Sequence, residues 1–225
     1  MATQRPEQRP EQRPEQRPEK PASGTATTET DNVKRRQIME GARRLFLAQG
    51  FDAASMNAIA QEAGVSKGTL YVYFNSKEAL FEAIVERQIE EQAAQIFMLD
   101  ADQDVEEVLT RLGHELVRFL CRPDGVPSLR TVIAIADRMP ELGAKFYLAG
   151  PARGIASLKG YLEDQVAMGV LKAHDCEIAA AQFIESCLSL TFRPMLFNFA
   201  GPPEDARIDR VVAMAVRALM SAYKP

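Results

Sequence analysis

The chain contains no tryptophan, two histidines and three cysteines in 225 residues, and each scarcity removes a class of function. His114 and His174 stand far apart, without a second histidine or a cysteine at metal-ligand spacing, so no metal and no cofactor are expected. Cys121, Cys176 and Cys187 are odd in number and set in apolar, helix-like sequence, a pattern of reduced, packed thiols rather than a disulfide framework. The opening MATQRPEQRPE has no apolar core, and no later segment offers about 18 uninterrupted apolar residues. Neither secretion nor membrane insertion is therefore expected, and the localisation expected is cytoplasmic. Paired carboxylates, a nucleophile with its base and a phosphate-cradling loop are likewise missing at any recognisable spacing, so the chain does not read as an enzyme.

A cationic surplus is also lacking, since the formal net charge is -4. Its distribution matters more than its sum. Residues 1–30 carry five basic and five acidic side chains; residues 31–80 carry seven and five, giving +2; residues 81–225 carry 15 and 21, giving -6. Phosphate affinity depends on local cations, so a basic segment on an acidic body remains compatible with duplex DNA.

Hydrophobic residues, 46% of the chain, suffice for a substantial core. Gln4 to Glu19 repeats Gln-Arg-Pro-Glu four times, and a proline at every fourth position denies the backbone a helix. With the stretch to Thr30 this predicts a disordered arm over residues 1–30. Its arginines could follow phosphates or a minor groove, but each has a nearby glutamate, which favours a solvated tail of balanced charge.

Order is expected from Asp31 or Asn32, with a helix to Gln49 buried through Ile38, Ala42, Leu45 and Phe46. Lys34, Arg35 and Arg36 oppose the dipole in its first turn, a small cost that suits phosphate contact or a solvated face. Next comes SMNAIAQEAGVSKGTLYVYFNSK. Ser55 can cap a short helix whose apolar face is Ile59, Ala60 and Ala63, Gly64 can take the left-handed turn, and a second helix must begin near Ser66. Leu70 points inward while Lys67, Gly68, Thr69, Tyr71 and Tyr73 stay available, which describes a helix-turn-helix.

Further helices are expected from Asn75-Ser76 towards Phe97, at about 104–122, 127–137 and 151–169, from Asp175 to about Asn198, and from Pro202-Pro203 onward with the stripe Ile208, Val211, Val212, Ala215, Val216 and Leu219. No β pattern interrupts them, so the chain reads as all-α. The last two helices carry more apolar surface than one neighbour covers, with Met214 and Met220 flanking the final stripe, and predict a homodimer.

ARRLFLAQGFDAASM followed by AIAQEAGVSKGTLYVYFNSKEALF closely resembles the DNA-binding domain of the TetR (tetracycline repressor) family over residues 33–85. RTVIAIADRMPELGAKFYLAGP looks somewhat like one subfamily of regulators with similar ligand-binding domains. The resemblance implies a three-helix DNA-binding domain over residues 31–77 and a larger helical effector-binding and dimerisation domain over 78–225. It implies double-stranded operator DNA as partner, and most simply a repressor released from a palindromic operator by a small molecule. An architectural or adaptor protein regulated by a protein partner is the alternative. Carried over by motif, Asn57, Lys67, Gly68, Tyr71 and Tyr73 would face bases or phosphates, and Ser55, Thr69 and Lys77 would hold phosphates; Ser66, Lys34 and Arg35 complete the expected DNA-facing set. Phe97, Phe119, Tyr147, Phe183, Met168 and Phe192 are candidates for an apolar effector pocket or for ordinary core, and Arg130 with Asp137 could orient a polar effector group or form a structural ion pair.

Overall fold

In the computed structural model the backbone is described from Gly24 to Pro225 and the side chains for residues 31–87 and 96–225. The QRPE repeat lies outside the described residues. Every regular element among those described is helical: α1 (Gly24–Gln49), α2 (Met56–Glu62), α3 (Lys67–Tyr73), α4 (Lys77–Ile96), α5 (Val105–Leu120), α6 (Gly125–Ala136), α7 (Pro140–Tyr147), α8 (Arg153–Ala167), α9 (Cys176–Leu188), α10 (Phe192–Leu196) and α11 (Asp205–Tyr223). No helix among them is long and apolar enough to cross a membrane.

Three expected boundaries move, each for an identifiable reason. The first helix begins at Gly24 rather than at Asp31 or Asn32, so the expected arm of residues 1–30 overlaps α1 over 24–30. The last proline before it is Pro21, and extending a packed helix backwards needs no new nucleus. The single helix expected over 175–198 is two, because Pro194 has no N–H for the carbonyl of Leu190; α9 stops at Leu188 and α10 restarts with Pro194 in its first turn, where a missing donor costs nothing. Conversely, α7 was not expected, and it runs into α8 through a wider π-helical turn, Leu148–Ala152, that accommodates Pro151.

Two apolar cores result. One gathers α5, α8, α9 and α11, with Val108, Leu112, Leu158, Leu162, Ala180 and Val212 fully or nearly fully enclosed. Here the final helix turns Ile208, Val212, Ala215, Val216, Leu219 and Met220 inward. Gly113 makes this approach possible, because a Cβ there would lie 2.8 Å from Val212 Cγ1. His114 ties the same helices together, its ring nitrogens 2.8 Å from the Thr110 carbonyl oxygen and 2.9 Å from Asp209 Oδ1.

The other core gathers α1, α2, α3 and the first turns of α4. Its centre is a cluster of Phe46, Phe51 and Phe81, with ring centroids 5.3 to 5.5 Å apart in tilted and edge-on arrangements. This core continues past the helix-turn-helix segment to include Val132 and Ile135 of α6 and Leu142 of α7. Polar contacts reinforce the junction: Arg138 meets Asp52 through two parallel bonds of 2.8 and 2.9 Å, Lys145 pairs with Glu82, and Arg43 pairs with Asp124.

Candidate nucleic-acid interface and effector cavity

The helix-turn-helix is held by short-range capping that leaves one face open. Ser55 Oγ accepts from the Ala58 N–H at 3.2 Å and opens α2; Ser66 Oγ accepts from the Thr69 N–H at 3.0 Å and opens α3. Between them Gly64 takes a positive φ of 65°, which permits the sharp exit a side chain would resist. Gln37 of α1 donates to the Ala63 carbonyl at 2.6 Å, and Arg44 pairs with Glu62 at 2.8 Å, so α1 grips the end of α2 from behind. Leu70 is completely enclosed and sets the rotation of α3.

That rotation brings Lys67, Gly68, Tyr71 and Val72 to the surface together. Val72, 80% exposed, was not singled out from sequence, where an apolar residue on a short helix reads as core; only its place on the outer face of α3 distinguishes it. Lys67 Nζ lies 5.9 Å from the Tyr71 ring one turn on, which restrains the ammonium on the open face. Asn57 and Ser55 are exposed on α2 and its cap. Thr69 is half-buried, its hydroxyl 2.7 Å from Ser66 Oγ. Tyr73 donates its hydroxyl to Asp31 at 2.9 Å, and this bond raises the phenol pKa. On α1, Lys34 Nζ donates to Gln37 at 3.1 Å and Arg35 lies over the Phe74 ring at 5.2 Å.

Lys77 sits differently from the phosphate-holding place expected of it. Its ammonium donates to the carbonyls of Phe51, Asp52 and Ala54 at 2.9, 3.2 and 3.3 Å and lies 4.5 Å above the Phe51 ring. The turn between α1 and α2 presents these carbonyls, and a compact cation with three donors matches them.

A cavity of about 530 Å³ lies among α4, α5, α6, the π-helical turn, α9 and α10. Phe97, Phe119, Phe146, Tyr147 and Phe192 supply its aromatic wall, and Ser128, Leu129 and Val132 face it from α6. Among the described residues its charged lining is Arg122 and the paired Arg193 and Glu185. Phe97, Phe119, Tyr147 and Phe192 are thus brought together around one cavity. Phe183, Arg130 and Met168 are not. On α9 the cavity takes Ala181, Ile184, Glu185 and Leu188, and Phe183, one position off that stripe, turns into the adjacent core. Arg130 follows Leu129 by about 100° of helix rotation and instead donates to the carbonyls of Leu196 and Met195 at 2.9 and 2.7 Å, closing the end of α10. Met168 and Asp137 are exposed. Arg122, not foreseen from sequence, lies 4.2 Å over the Phe119 ring.

On the opposite side of α9, a second, more open groove of about 830 Å³ runs between α9 and α11. Gln182, Ser186, Leu190, Val211, Met214 and Ala218 line it, and Met214 is 57% exposed. The inward stripe of α11, Val212 and Leu219 included, belongs to the chain's own core, and so does Met220; the surface available to another chain is the Val211, Met214, Ala218 face.

The three cysteines are free and buried. Among the described residues no group of three or more His, Cys, Asp or Glu is placed to hold a metal ion.

Two family models match the chain. Bacterial regulatory proteins of the tetR family match residues 38–84, and the C-terminal domain of AefR-like transcriptional repressors matches residues 107–225. The HTH-type transcriptional repressor Rv1474c of Mycobacterium tuberculosis is 41% identical over 61 residues, which is 27% of this chain and 33% of that protein. The uncharacterized HTH-type transcriptional regulator YhgD of Bacillus subtilis is 27% identical over 165 residues, 71% of this chain and 83% of that one. Among solved structures, a TetR-family regulator from Mesorhizobium loti superimposes with a TM-score of 0.80 at 28% identity, covering 86% of this chain and 98% of the other. The flavonoid-responsive regulator FrrA does so with a TM-score of 0.72 at 29% identity and the same coverages. With one model over the helix-turn-helix and a second over more than half of the length, the chain belongs to the TetR family of bacterial transcriptional regulators.

Proposed function

We propose that the chain is a cytoplasmic, homodimeric repressor that binds a palindromic operator through α3 and is released when a small apolar molecule occupies the 530 Å³ cavity. Residues 31–77 form the DNA-reading unit and residues 78–225 the sensing and dimerising unit, with no catalytic step. One observation carries the reading: Val132 lines the cavity and is also buried in the core of the DNA-binding segment. A helix that is a wall of both spaces cannot shift at one without repacking the other, because close-packed cores deform in discrete steps.

Reading at the DNA follows from the open face of α3. Lys67 can donate to guanine O6 or N7, Tyr71 can hydrogen-bond phosphate, and Val72 offers an apolar contact to a thymine methyl group. Ser55, Asn57, Ser66, Thr69, Tyr73, Lys34 and Arg35 flank that face and would position it on the backbone. The groove between α9 and α11 is covered by the same groove of a second copy, an isologous contact that sets two α3 helices at the separation of two half-sites, about 34–36 Å.

The effector is of drug size, since cavities of about 300–1,000 Å³ serve such ligands, and the aromatic wall favours a planar ring system. The flavonoid response of FrrA, a fold relative, supports the same class. The test is to recover genomic fragments bound by the purified protein and titrate the best one with aromatic compounds. A single palindrome released by one compound class, with operator lowering that compound's affinity by the same factor, is the expected result. Equal affinity with and without operator would exclude the coupling, and sequence-independent binding would favour an architectural role.

A further inference from the structure

Just past α6, Arg138 meets the turn that precedes α2 through a directional contact. Its Nη1 and Nη2 donate to Asp52 Oδ1 and Oδ2 at 2.8 and 2.9 Å, a planar fork that fixes orientation as well as distance. Both ends of the fork are firmly seated. The backbone N–H groups of Arg138 and Met139 donate to the Ile135 carbonyl at 3.0 and 2.8 Å, so the hydrogen-bonded backbone of α6 runs on to this arginine. Ile135 itself is 1% exposed, in the core shared with the helix-turn-helix. On the other side Lys77 holds the carbonyls of Phe51, Asp52 and Ala54, and the Ser55 cap of α2 follows three residues after Asp52. Lys145 with Glu82 and Arg43 with Asp124 also cross this junction, but they end on α4 and α1. The shared apolar packing is non-directional. The Arg138 and Asp52 side chains are 56% and 68% exposed, so the pair adds little to stability.

From this arrangement we infer that Arg138 is a positioning residue for half-site spacing: through Asp52 it fixes the angle at which α2 and α3 leave the dimerising body, and so which separation and rotation of half-sites two copies accept. This inference rests on the reading of the chain as a homodimer on a palindrome. A contact that is weak in stability and strict in geometry selects among arrangements of two units that are each stable without it. One base pair added or removed at the centre of a palindrome moves the half-sites by about 3.4 Å and turns one against the other by roughly 35°. Two units held at a fixed angle must strain to follow, whereas units free to rock follow at small cost. Arg138 acts in this way without touching DNA.

The test uses three duplexes: the palindromic fragment recovered from genomic DNA, and two versions with one base pair inserted or removed at its centre. At fixed salt the full unaltered chain should prefer the natural spacing by roughly tenfold or more. Arg138→Gln and Asp52→Asn should each compress that preference to about threefold or less, with the thermal unfolding midpoint almost unmoved. The double variant should relax it no further than either single change, because both remove the same contact. Arg138→Lys keeps the charge and loses the fork, so its preference should fall between those of the unaltered chain and Arg138→Gln. A merely structural role would instead lower affinity for all three duplexes by the same factor, and that result overturns the inference. So does a spacing preference that both single variants retain, or failure of both to fold, since the pair would then be a stability contact; if only one folds, that one decides. An unaltered chain that binds no palindrome, or binds all three spacings equally, overturns the inference together with the reading on which it rests.

Discussion

The ammonium of Lys77 lies 4.5 Å above the Phe51 ring and 2.9 Å from the carbonyl oxygen of that same residue. Two further carbonyls, of Asp52 and Ala54, complete its surroundings. A lysine at the start of α4 therefore closes the turn from α1 to α2, although its place beside the recognition helix suggests phosphate binding. Lys77→Ala is expected to lower the stability of the DNA-binding segment by about 1–3 kcal/mol, the cost of leaving charged-group hydrogen bonds unmade. Operator affinity should fall only through that instability. Chemical denaturation and DNA titration at two salt concentrations check this; an unchanged midpoint with a salt slope shallower by about one unit would return Lys77 to the phosphate-binding set.

Gly68 separates packing from recognition. Among the described residues a Cβ there would meet only Ser66 Oγ, at 3.8 Å, so none of them requires glycine at this position. Gly68→Ala should stabilise the fold by about 0.5–1 kcal/mol through helix propensity. Operator binding should nonetheless weaken by roughly tenfold, because a methyl group would stand between α3 and the groove. Full operator affinity in a stabilised variant would mean that α3 does not approach the duplex at this position.

The two faces of α11 predict opposite outcomes for similar substitutions. Met214→Glu with Ala218→Glu places charge in the outward groove and should give a folded monomer by sedimentation, with operator affinity lost. Val212→Glu places charge where the side chain is fully enclosed and should abolish the native helical signal. A dimer that persists in the first variant would move the interface away from this groove.

Alkaline pH should destabilise the protein through its thiols. Burial pushes Cys187 up to about 12 and Cys121 up to about 11 from an ordinary 9.0. The folded chain keeps these protons where the unfolded chain releases them, so their contribution is complete below about pH 9 and is lost as pH rises towards 11 and 12. The urea midpoint should accordingly fall above pH 9, and less so in a Cys121→Ala, Cys187→Ala variant at matched ionic strength. Identical pH profiles for the two proteins would remove the thiols as the cause, leaving groups such as Tyr161, also pushed up to about 12.

Arg138 and Asp52 illustrate what local pattern cannot carry. They are far apart in sequence and each reads as a surface charge, yet two parallel hydrogen bonds join the α6–α7 turn to the α1–α2 turn. The same holds for Arg43 and Asp124. Pairings of this kind depend on how whole helices are placed, and helix placement is settled by apolar packing.

The sequence by itself determined the features whose causes lie within a few residues. Ser55 and Ser66 cap the two short helices, Gly64 makes the turn, Leu70 faces inward, and the all-α character follows from apolar spacing. Tertiary structure decided which residues of one stripe meet which space. Phe97 and Phe119 reach the cavity while Phe183 does not, and Val212 turns inward while Met214 turns out, because about 100° of rotation per residue assigns neighbours to different partners. Only the assembled helices place Val132 in the wall of the cavity and in the core behind the recognition helix at once.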